Sequence, residues 1–436
     1  MQDRVGDGPT VSGRNSVITL PYRNDFAEAH LPSKNILSIL KPKDAKAVED
    51  KQAEVRRALE HPIGCDRISK IVQPEDEVVI IADDNTRPTP TDIIVPILLN
   101  KLNEGGVEDS KIKVIAALGT HRCMTYEELK RKFGSLVLKR VEVRNHDYLA
   151  AEGLVDLGCT KNKTPIQVNK EVIDADVKIA VGNIVPHHLC GWAGGAKIIQ
   201  PGVSGEETTA ATHLLGARSP ITLLGKANNV VRNEMEAIGR RVNVDMIVNT
   251  VLDRNGSLVK VFAGDIVQAA KMGIETSKKV YFAETPAKTD IVLASSYPCD
   301  IDFWQAHKAL YSSALAVKEN GTIIVVAACP EGVSGMHPEL LDIGRLPPSD
   351  ILAGLERGEI EDPVGASLAI ACSMVKRCAK VILVSKGISA TEAERLGFDC
   401  ADTVDQALSK AFAEHGLGAK VTILPNAPDT VPIIRS

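Results

Sequence analysis

Val177-Lys-Ile-Ala-Val181 runs, after a short step, into Pro186-His-His-Leu-Cys-Gly-Trp-Ala-Gly-Gly-Ala-Lys197. The apolar run predicts a buried parallel strand, so the second run follows the carboxyl end of a strand, where open α/β sheets bind their ligands. Its glycines remove side chains beside a lysine, which leaves the Lys197 amine as the nearest reactive group. A lysine in this setting can form a covalent bond to a cofactor, bind an anion, or be a solvent-exposed residue of a glycine-rich loop. The nearby histidines favour a functional role.

Two more strand, turn and helix units precede this stretch. Residues 77–82 and 111–118 are apolar runs that predict buried strands, and each is followed by a polar turn and a helix pattern. Arg87 lies in the first turn, and its guanidinium can donate two parallel hydrogen bonds to a carboxylate or phosphate. His121 lies in the matching position of the second turn. Because parallel strands end at the same edge of a sheet, we expect Arg87 and His121 to lie near the 186–197 stretch.

The composition indicates an ordinary globular protein that acts on a small molecule. The chain has 436 residues, 44% of them hydrophobic and 25% charged, with a formal net charge of −5. Aromatic residues make up only 3% and no basic block occurs, so nucleic acid is not an expected partner. Nine cysteines without a Cys-x-x-Cys pair argue against a disulfide framework or a zinc knuckle. No secretory leader or membrane-spanning run is present, which predicts a cytoplasmic protein and no membrane partner.

The pattern predicts two α/β domains with an active-site cleft between them. A fresh alternation of strands and helices starts after the proline-containing stretch 278–290. We therefore expect an N-terminal domain over 1–280, which carries the cofactor and the catalytic histidines, and a C-terminal domain over 281–415. The last strand-like run suggests that 416–436 returns to the first domain. In the second domain Gln305 and Lys308 are three residues apart on a predicted helix, a spacing that suits an anion site.

The ordered motifs resemble the nickel-dependent lactate racemase family. They are Asp84-Asn-Thr-Arg-Pro-Thr-Pro90, Gly119-Thr-His-Arg122, His187 with Gly191-Trp-Ala-Gly-Gly-Ala-Lys197, His213, and Gln305-Ala-His-Lys308. Order and approximate spacing are kept over nearly the whole chain. The resemblance implies an isomerase that racemises or epimerises a 2-hydroxy acid by reversible hydride transfer to a nickel-pincer nucleotide.

The resemblance also implies a role for each matched residue. The cofactor, pyridinium-3-thioamide-5-thiocarboxylic acid mononucleotide with nickel, would be attached covalently to Lys197, and His213 would be the nickel ligand from the protein. His121 and His187 would be the two acid/base groups. Other cofactor contacts would come from Asp84, Thr86, Gly194 and Gly195, and substrate contacts from Arg87, Trp304, Gln305 and Lys308. The cofactor would have to be made and installed by separate biosynthesis proteins.

Two departures from the family pattern concern the substrate. Trp304 stands where the family carries a tyrosine, and no tryptophan is found around Val364 and Gly365, where one is expected beside a lactate-sized pocket. Both changes favour a 2-hydroxy acid larger than lactate, such as a dicarboxylic, aromatic or sugar acid.

Two other functions are compatible with these residues. The histidines with Asp83 and Asp84 could serve a metal-dependent hydrolase, although no His-x-x-x-His spacing occurs. The anion sites at Arg87 and Lys308 could serve a nucleotide- or carboxylate-binding sensor without catalysis. Only the racemase needs a cofactor joined to Lys197, so covalent attachment distinguishes it from both.

Overall fold

The computed structural model describes residues 15–219 and 222–435 of the chain. Its strands are β1 Asn15–Tyr22, β2 Asp25–Pro32, β3 Ile36–Ile39, β4 Val78–Asp83, β5 Ile112–Ala117, β6 Glu142–Asn145, β7 Leu154–Cys159, β8 Pro165–Asn169, β9 Val177–Asn183, β10 Pro186–His187, β11 Gly191–Trp192, β12 Met246–Leu252, β13 Leu258–Gly264, β14 Phe282–Thr285, β15 Thr289–Ser295, β16 Val317–Val326, β17 Ala379–Val384, β18 Asp399–Cys400, β19 Val421–Leu424 and β20 Val431–Ile434.

Helices cover the sheets. They are α1 Lys51–Glu60, α2 Ile68–Ile71, α3 Thr91–Glu104, α4 Tyr126–Arg140, α5 Lys170–Asp174, α6 Glu206–Ala217, α7 Val230–Val242, α8 Gln268–Tyr281, α9 Phe303–Ala306, α10 Lys308–Ala316, α11 Leu340–Ile343, α12 Pro348–Arg357, α13 Pro363–Lys376, α14 Ala390–Arg395 and α15 Val404–His415. None of those within the described residues is long and apolar enough to cross a membrane.

The described residues divide into two compact units, one within residues 43–281 and the other made of residues 15–42 with 282–435. In the first unit a six-stranded sheet has the order β13-β12-β9-β4-β5-β6, parallel except for β13. Alternate residues of β4 enter two separate cores, Val78 and Ile80 on one face and Val79 and Ile81 on the other. Both faces are therefore buried, which explains why the strands are continuous apolar runs.

The other unit contains a second parallel sheet of six strands, in the order β18-β17-β16-β15-β19-β3. Its core combines these strands with apolar residues of α15 and of the β1–β2 hairpin, for example Ala407 and Leu20. The predicted fold class, two α/β units with parallel sheets, is confirmed.

Both ends of the chain lie in a different unit from the one that the sequence suggested. β19, within the segment 416–436, hydrogen-bonds between β15 and β3 and so belongs to the C-terminal sheet. The segment up to Pro42 joins the same unit and supplies the edge strand β3. An apolar strand pattern fits any buried parallel sheet, so the pattern alone does not say which sheet the strand enters.

Candidate active site

In the unit that contains residues 43–281, predicted site residues lie in the turns after three neighbouring strands. β9, β4 and β5 are adjacent and parallel, so the turns after them leave the same edge of the sheet. The Gly119 N–H donates to the Gly202 carbonyl at 3.0 Å, which ties the turn after β5 to the segment after Lys197. The expected gathering of these turns at one edge is therefore what the structure shows.

Asp84 organises the turn between β4 and α3. The Asp84 carboxylate is buried, and its Oδ2 lies 2.6 Å from His121 Nδ1. Its Oδ1 accepts from the Thr86 backbone N–H at 3.1 Å and from the Thr86 hydroxyl at 2.5 Å. Arg87 Nη1 in turn donates to Thr86 Oγ1 at 2.9 Å. The side chains of Asp84, Thr86, Arg87 and His121, all chosen from sequence, form one hydrogen-bonded chain.

The Asp84 contact fixes the form of the His121 ring. An ionised carboxylate only accepts hydrogen bonds, so Nδ1 of His121 carries the proton and Nε2 carries the lone pair when the ring is neutral. Burial would raise the pKa of Asp84, but the hydrogen-bonded His121 ring, the Arg87 guanidinium and the Thr86 hydroxyl outweigh it and hold the pKa well below its ordinary value. Asp84 therefore stays ionised, and His121 presents a basic nitrogen.

The depressed pKa of Asp84 predicts how the stability of wild type and Asp84→Asn will differ with pH. A carboxyl whose folded pKa lies below its unfolded value of about 3.9 stabilises the fold above that value, and the contribution is lost as the pH falls towards the folded pKa. We expect the unfolding free energy of wild type to exceed that of Asp84→Asn at pH 7 and the difference to shrink by pH 3. Denaturant titrations at both pH values measure this difference.

Asp174→Asn, at an exposed carboxyl in the same unit, is the matched control and should show a small difference at both pH values. An Asp84→Asn difference that stays constant between pH 7 and pH 3 would contradict the ion-pair account of this turn.

A buried lysine that the sequence gave no reason to select braces the same turn. Lys132 of α4 donates through Nζ to Asp83 Oδ1 at 2.9 Å and to the Arg87 carbonyl at 2.8 Å. The second oxygen of Asp83 accepts from the Thr89 hydroxyl at 2.5 Å. Both carboxylate oxygens of Asp83 therefore take part in contacts that hold the turn. Among the described residues no group of three or more His, Cys, Asp or Glu side chains is placed to hold a metal ion.

Lys197 lies at the end of a long buried run. Every residue from 177 to 196 is buried, whereas Lys197, in the short 3-10 helix Gly195–Ile198, is partly exposed. The backbone φ angles of Gly194 and Gly195 are +77° and +57°, a region that favours glycine. A Cβ at Gly194 would lie 2.7 Å from Ile184 Cγ1, and one at Gly195 would lie 2.9 Å from Ala270 Cβ. The glycines therefore let this turn pack against its own unit and present the amine.

Two further side chains that the sequence did not single out hold the glycine turn. Arg232 of α7 is buried and donates to the Gly194 carbonyl at 3.0 Å and to the Trp192 carbonyl. Asn249 of β12 accepts from the Gly195 N–H at 2.7 Å. These two contacts fix the turn and so keep the Lys197 backbone in one position. Both come from elements that follow the turn in sequence, α7 and β12.

His213 is held on α6 in a form that suits a metal ligand. Its Nδ1 donates to the Thr209 carbonyl at 2.8 Å, one helical turn earlier, so the lone pair of the neutral ring is on Nε2. Gln200, three residues after Lys197, donates to the Thr208 carbonyl at 3.3 Å and to the Thr212 hydroxyl. The segment that contains Lys197 is thereby bonded to the helix that carries His213.

His187 presents the opposite ring form from His121. The Leu189 N–H donates to Nδ1 of His187 at 3.3 Å, which places the proton of the neutral ring on Nε2. The rings of His187 and His188 stack with centroids 4.8 Å apart. An extended backbone would have pointed them to opposite sides, but β10 ends at His187 and the chain turns there. The loop that carries this buried pair packs against α6, since Gly216 contacts Leu189.

Trp304, Gln305 and Lys308 belong to the other unit. The predicted single helix is two short helices, α9 and α10, joined at His307. Gln305 nevertheless accepts a hydrogen bond from Lys308 Nζ through Oε1, so the two side chains meet as the three-residue spacing predicted. Gln305 is buried, which holds the lysine amine close to the helix.

Comparisons with known proteins identify the family. A family model described as the lactate racemase N-terminal domain matches residues 22–224, and one described as the lactate racemase C-terminal domain matches residues 284–434. Lactate racemase from Lactiplantibacillus plantarum is 30% identical over 420 residues, which are 94% of this chain and 98% of that protein. The chain belongs to the lactate racemase family. Its membership makes it an isomerase of the racemase type and argues against a sensor without catalysis.

Further members and structures agree with this assignment. Lactate racemase from Thermoanaerobacterium thermosaccharolyticum is 31% identical over 325 residues, 73% of this chain and 76% of that protein. The structure of the lactate racemase apoprotein from the same organism matches with a TM-score of 0.85 at 27% identity and covers 96% of this chain and 100% of that one. A Thermotoga maritima protein of 19% identity shares the fold, with a TM-score of 0.69 over 90% of this chain and 100% of that one.

Proposed function

We propose that this member of the lactate racemase family interconverts the stereoisomers of a 2-hydroxy acid larger than lactate, with His121 and His187 as its acid/base groups. The observation that supports this proposal most directly is the 2.6 Å contact between Asp84 and His121 at the sheet edge, in the turn that also carries the cationic Arg87. One side chain there can accept the substrate hydroxyl proton, and the next can bind the substrate carboxylate.

The residues present fit the nickel-pincer nucleotide. Lys197 is the accessible amine of its segment and would carry the cofactor, and Nε2 of His213 has the lone pair that a nickel ion requires. Asp84, Thr86, Gly194 and Gly195 would line the cofactor. When bound, the cofactor supplies a hydride acceptor for the hydrogen on the substrate's second carbon.

The protein's own residues would then perform the rest of the reaction. Arg87 would hold the substrate carboxylate through charge-assisted hydrogen bonds. His121 Nε2 would take the hydroxyl proton as the hydride leaves, which yields a 2-keto acid. For the return of the hydride to the other face, protonated His187 would donate its Nε2 proton to the keto oxygen, which gives the hydroxy acid of opposite configuration, and the proton held by His121 would pass to solvent. Because their ring forms are opposite, the two histidines suit opposite roles on a planar intermediate.

The direct test is to produce the full chain together with the biosynthesis proteins for the pincer cofactor. We expect an intact-mass adduct that maps to Lys197, bound nickel, and loss of optical activity with at least one enantiopure 2-hydroxy acid larger than lactate. Lactate racemase from Lactiplantibacillus plantarum, produced in parallel, is the control for loading. A bare lysine without nickel beside a loaded control would contradict the cofactor assignment, and loaded protein that racemises no 2-hydroxy acid would contradict the reaction.

A further inference from the structure

A groove of about 870 Å³ lies entirely within the C-terminal unit, at the amino edge of its sheet. Arg377 in its lining comes just before β17 begins, and Gly397 and Phe398 come just before β18 begins. These two strands are adjacent and parallel, so the residues before them lie at one edge. Gln305 and Lys308 follow the carboxyl end of β15 in the same sheet. The groove is therefore at the opposite edge from the one where α/β sheets bind substrates.

Lys376, the last residue of α13, brings a half-buried ammonium group to this groove. Its Nζ donates to the Gly344 carbonyl at 2.6 Å and to the Leu396 carbonyl at 2.8 Å, and it lies 5.2 Å from the centre of the Phe398 ring. Burial lowers the pKa of this amine, and no carboxylate within residues 15–219 and 222–435 forms an ion pair with it. A cation withdrawn from water without an anionic partner is costly, and a bound anion would remove that cost.

Two exposed cations line the same groove. They are Arg377, directly after Lys376, and Lys410 of α15. Lys410 Nζ donates to the Cys400 carbonyl at 2.8 Å, which draws its side chain from α15 towards β18. Across the described parts of the chain, neither Arg377 nor Lys410 forms an ion pair with a carboxylate. Three cations from two helices thus surround one space without a carboxylate of their own.

The carboxylates of the lining do not balance these charges. Four cationic and two carboxylate side chains line the groove, which leaves a surplus of two positive charges. The two carboxylates are already engaged, since Glu394 pairs with Arg345 at 3.3 Å and Asp399 pairs with Lys380 at 3.1 Å. The groove, called the basic groove below, is therefore suited to an anion of about two charges.

The chemistry of the lining selects a phosphate ester among such anions. A phosphate monoester carries about two negative charges near pH 7 and has three acceptor oxygens, which match one guanidinium and two ammonium groups. The groove volume lies in the range of small-molecule sites, roughly 300–1,000 Å³, and so exceeds the needs of a lone phosphate ion. Ser373 and Thr391 also line the basic groove, and their hydroxyls suit the hydroxyl groups of a sugar.

We propose that the basic groove binds the phosphate monoester of a sugar or nucleoside, with Lys376, Arg377 and Lys410 around the phosphate. The site goes beyond the proposed racemase function and does not depend on it. A molecule bound there contacts α13, α14 and α15, which are distant in sequence, and so stabilises the C-terminal unit by mass action.

Calorimetric titration of the full chain tests the proposal with ribose 5-phosphate and AMP. We expect at least one of them to bind about tenfold or more tightly than inorganic phosphate, and ribose and adenosine not to bind. The double variant Arg377→Ser with Lys410→Ser should lower the affinity for the ester roughly 10- to 100-fold. Lys376 stays in place, because it holds two carbonyls and its removal would disturb the fold. Thermal unfolding without ligand checks that the double variant is folded.

Two further variants locate the binding. Lys34→Ser removes an exposed lysine beside β3, at the other end of the same sheet from β18, and should change the affinity less than about twofold. Binding that is lost in Arg87→Ser and kept in the double variant would place the ester in the candidate active site and overturn the proposal.

Three other results would also overturn it. They are no binding of either ester, equal affinity for the esters and inorganic phosphate, and tighter binding of citrate than of both esters. The titration needs no turnover, so it is independent of the proposed reaction. Protein that binds an ester through Arg377 and Lys410 but racemises no 2-hydroxy acid would overturn the proposed function and retain the basic groove as a binding site.

Discussion

Lys197→Ala is expected to yield protein with no covalent adduct and with racemase activity at the level of cofactor-free enzyme. In the proposed mechanism the cofactor carries the hydride chemistry, which the protein groups alone cannot replace. Lys197→Arg is expected to give the same result, because a guanidinium keeps the charge but does not form the amide-type bond that an amine forms. Intact mass measures the covalent adduct, nickel content measures the bound metal, and optical rotation of the substrate measures racemisation.

The fold should tolerate this change. Lys197 is partly exposed at the end of a run of buried residues, and Arg232 and Asn249 hold its turn. Lys271→Ala, at an exposed lysine of the same unit, is the matched control and should load fully. An adduct that persists on Lys197→Ala, mapped to another residue, would contradict the assignment of the attachment site.

The second large effect is expected from the two histidines. His121→Ala and His187→Ala should each lower racemisation roughly 10²- to 10⁴-fold, the usual contribution of a positioned acid or base, while the adduct and bound nickel remain. The loss should fall on kcat, because the proposed mechanism assigns the substrate carboxylate to a different side chain, Arg87.

Single-turnover experiments should distinguish the two variants. In His187→Ala the basic Nε2 of His121 remains, so one enantiomer should still be converted to its 2-keto acid while the product of opposite configuration is not formed. His121→Ala should lose oxidation of that same enantiomer. His61→Ala, at an exposed histidine of the same unit, should match wild type. Loss of nickel from either variant would indicate a ligand in place of an acid/base group.

The surroundings of Trp304 could not be read from the sequence. The sequence identified Trp304 as a departure from the family, and the structure adds that its indole stacks on the His337 ring, whose Nδ1 lies 2.8 Å from Asp362 Oδ2. Neither His337 nor Asp362 belongs to a recognisable motif. They are 25 residues apart and meet only because α13 begins beside the loop after β16.

The sequence by itself determined the class of fold and most of the candidate site. Buried parallel strands are continuous apolar runs, and polar turns after them lie at one sheet edge, so Asp84, Arg87 and His121 could be placed together from local pattern. Family membership was likewise readable from ordered motifs. These features depend on residues near one another in the chain, which is why a linear pattern contains them.

Only the tertiary structure decided features that depend on distant partners. The assignment of β3 and β19 to the C-terminal sheet depends on which strand edge accepts them, and many edges would fit their apolar pattern. The ring forms of His121 and His187, set by Asp84 and by the Leu189 N–H, need hydrogen-bond geometry to be known. Lys132 and Arg232 stabilise the site turns because folding brings carbonyls and carboxylates close to them. These partners are distant in sequence, so residue spacing does not predict the contacts.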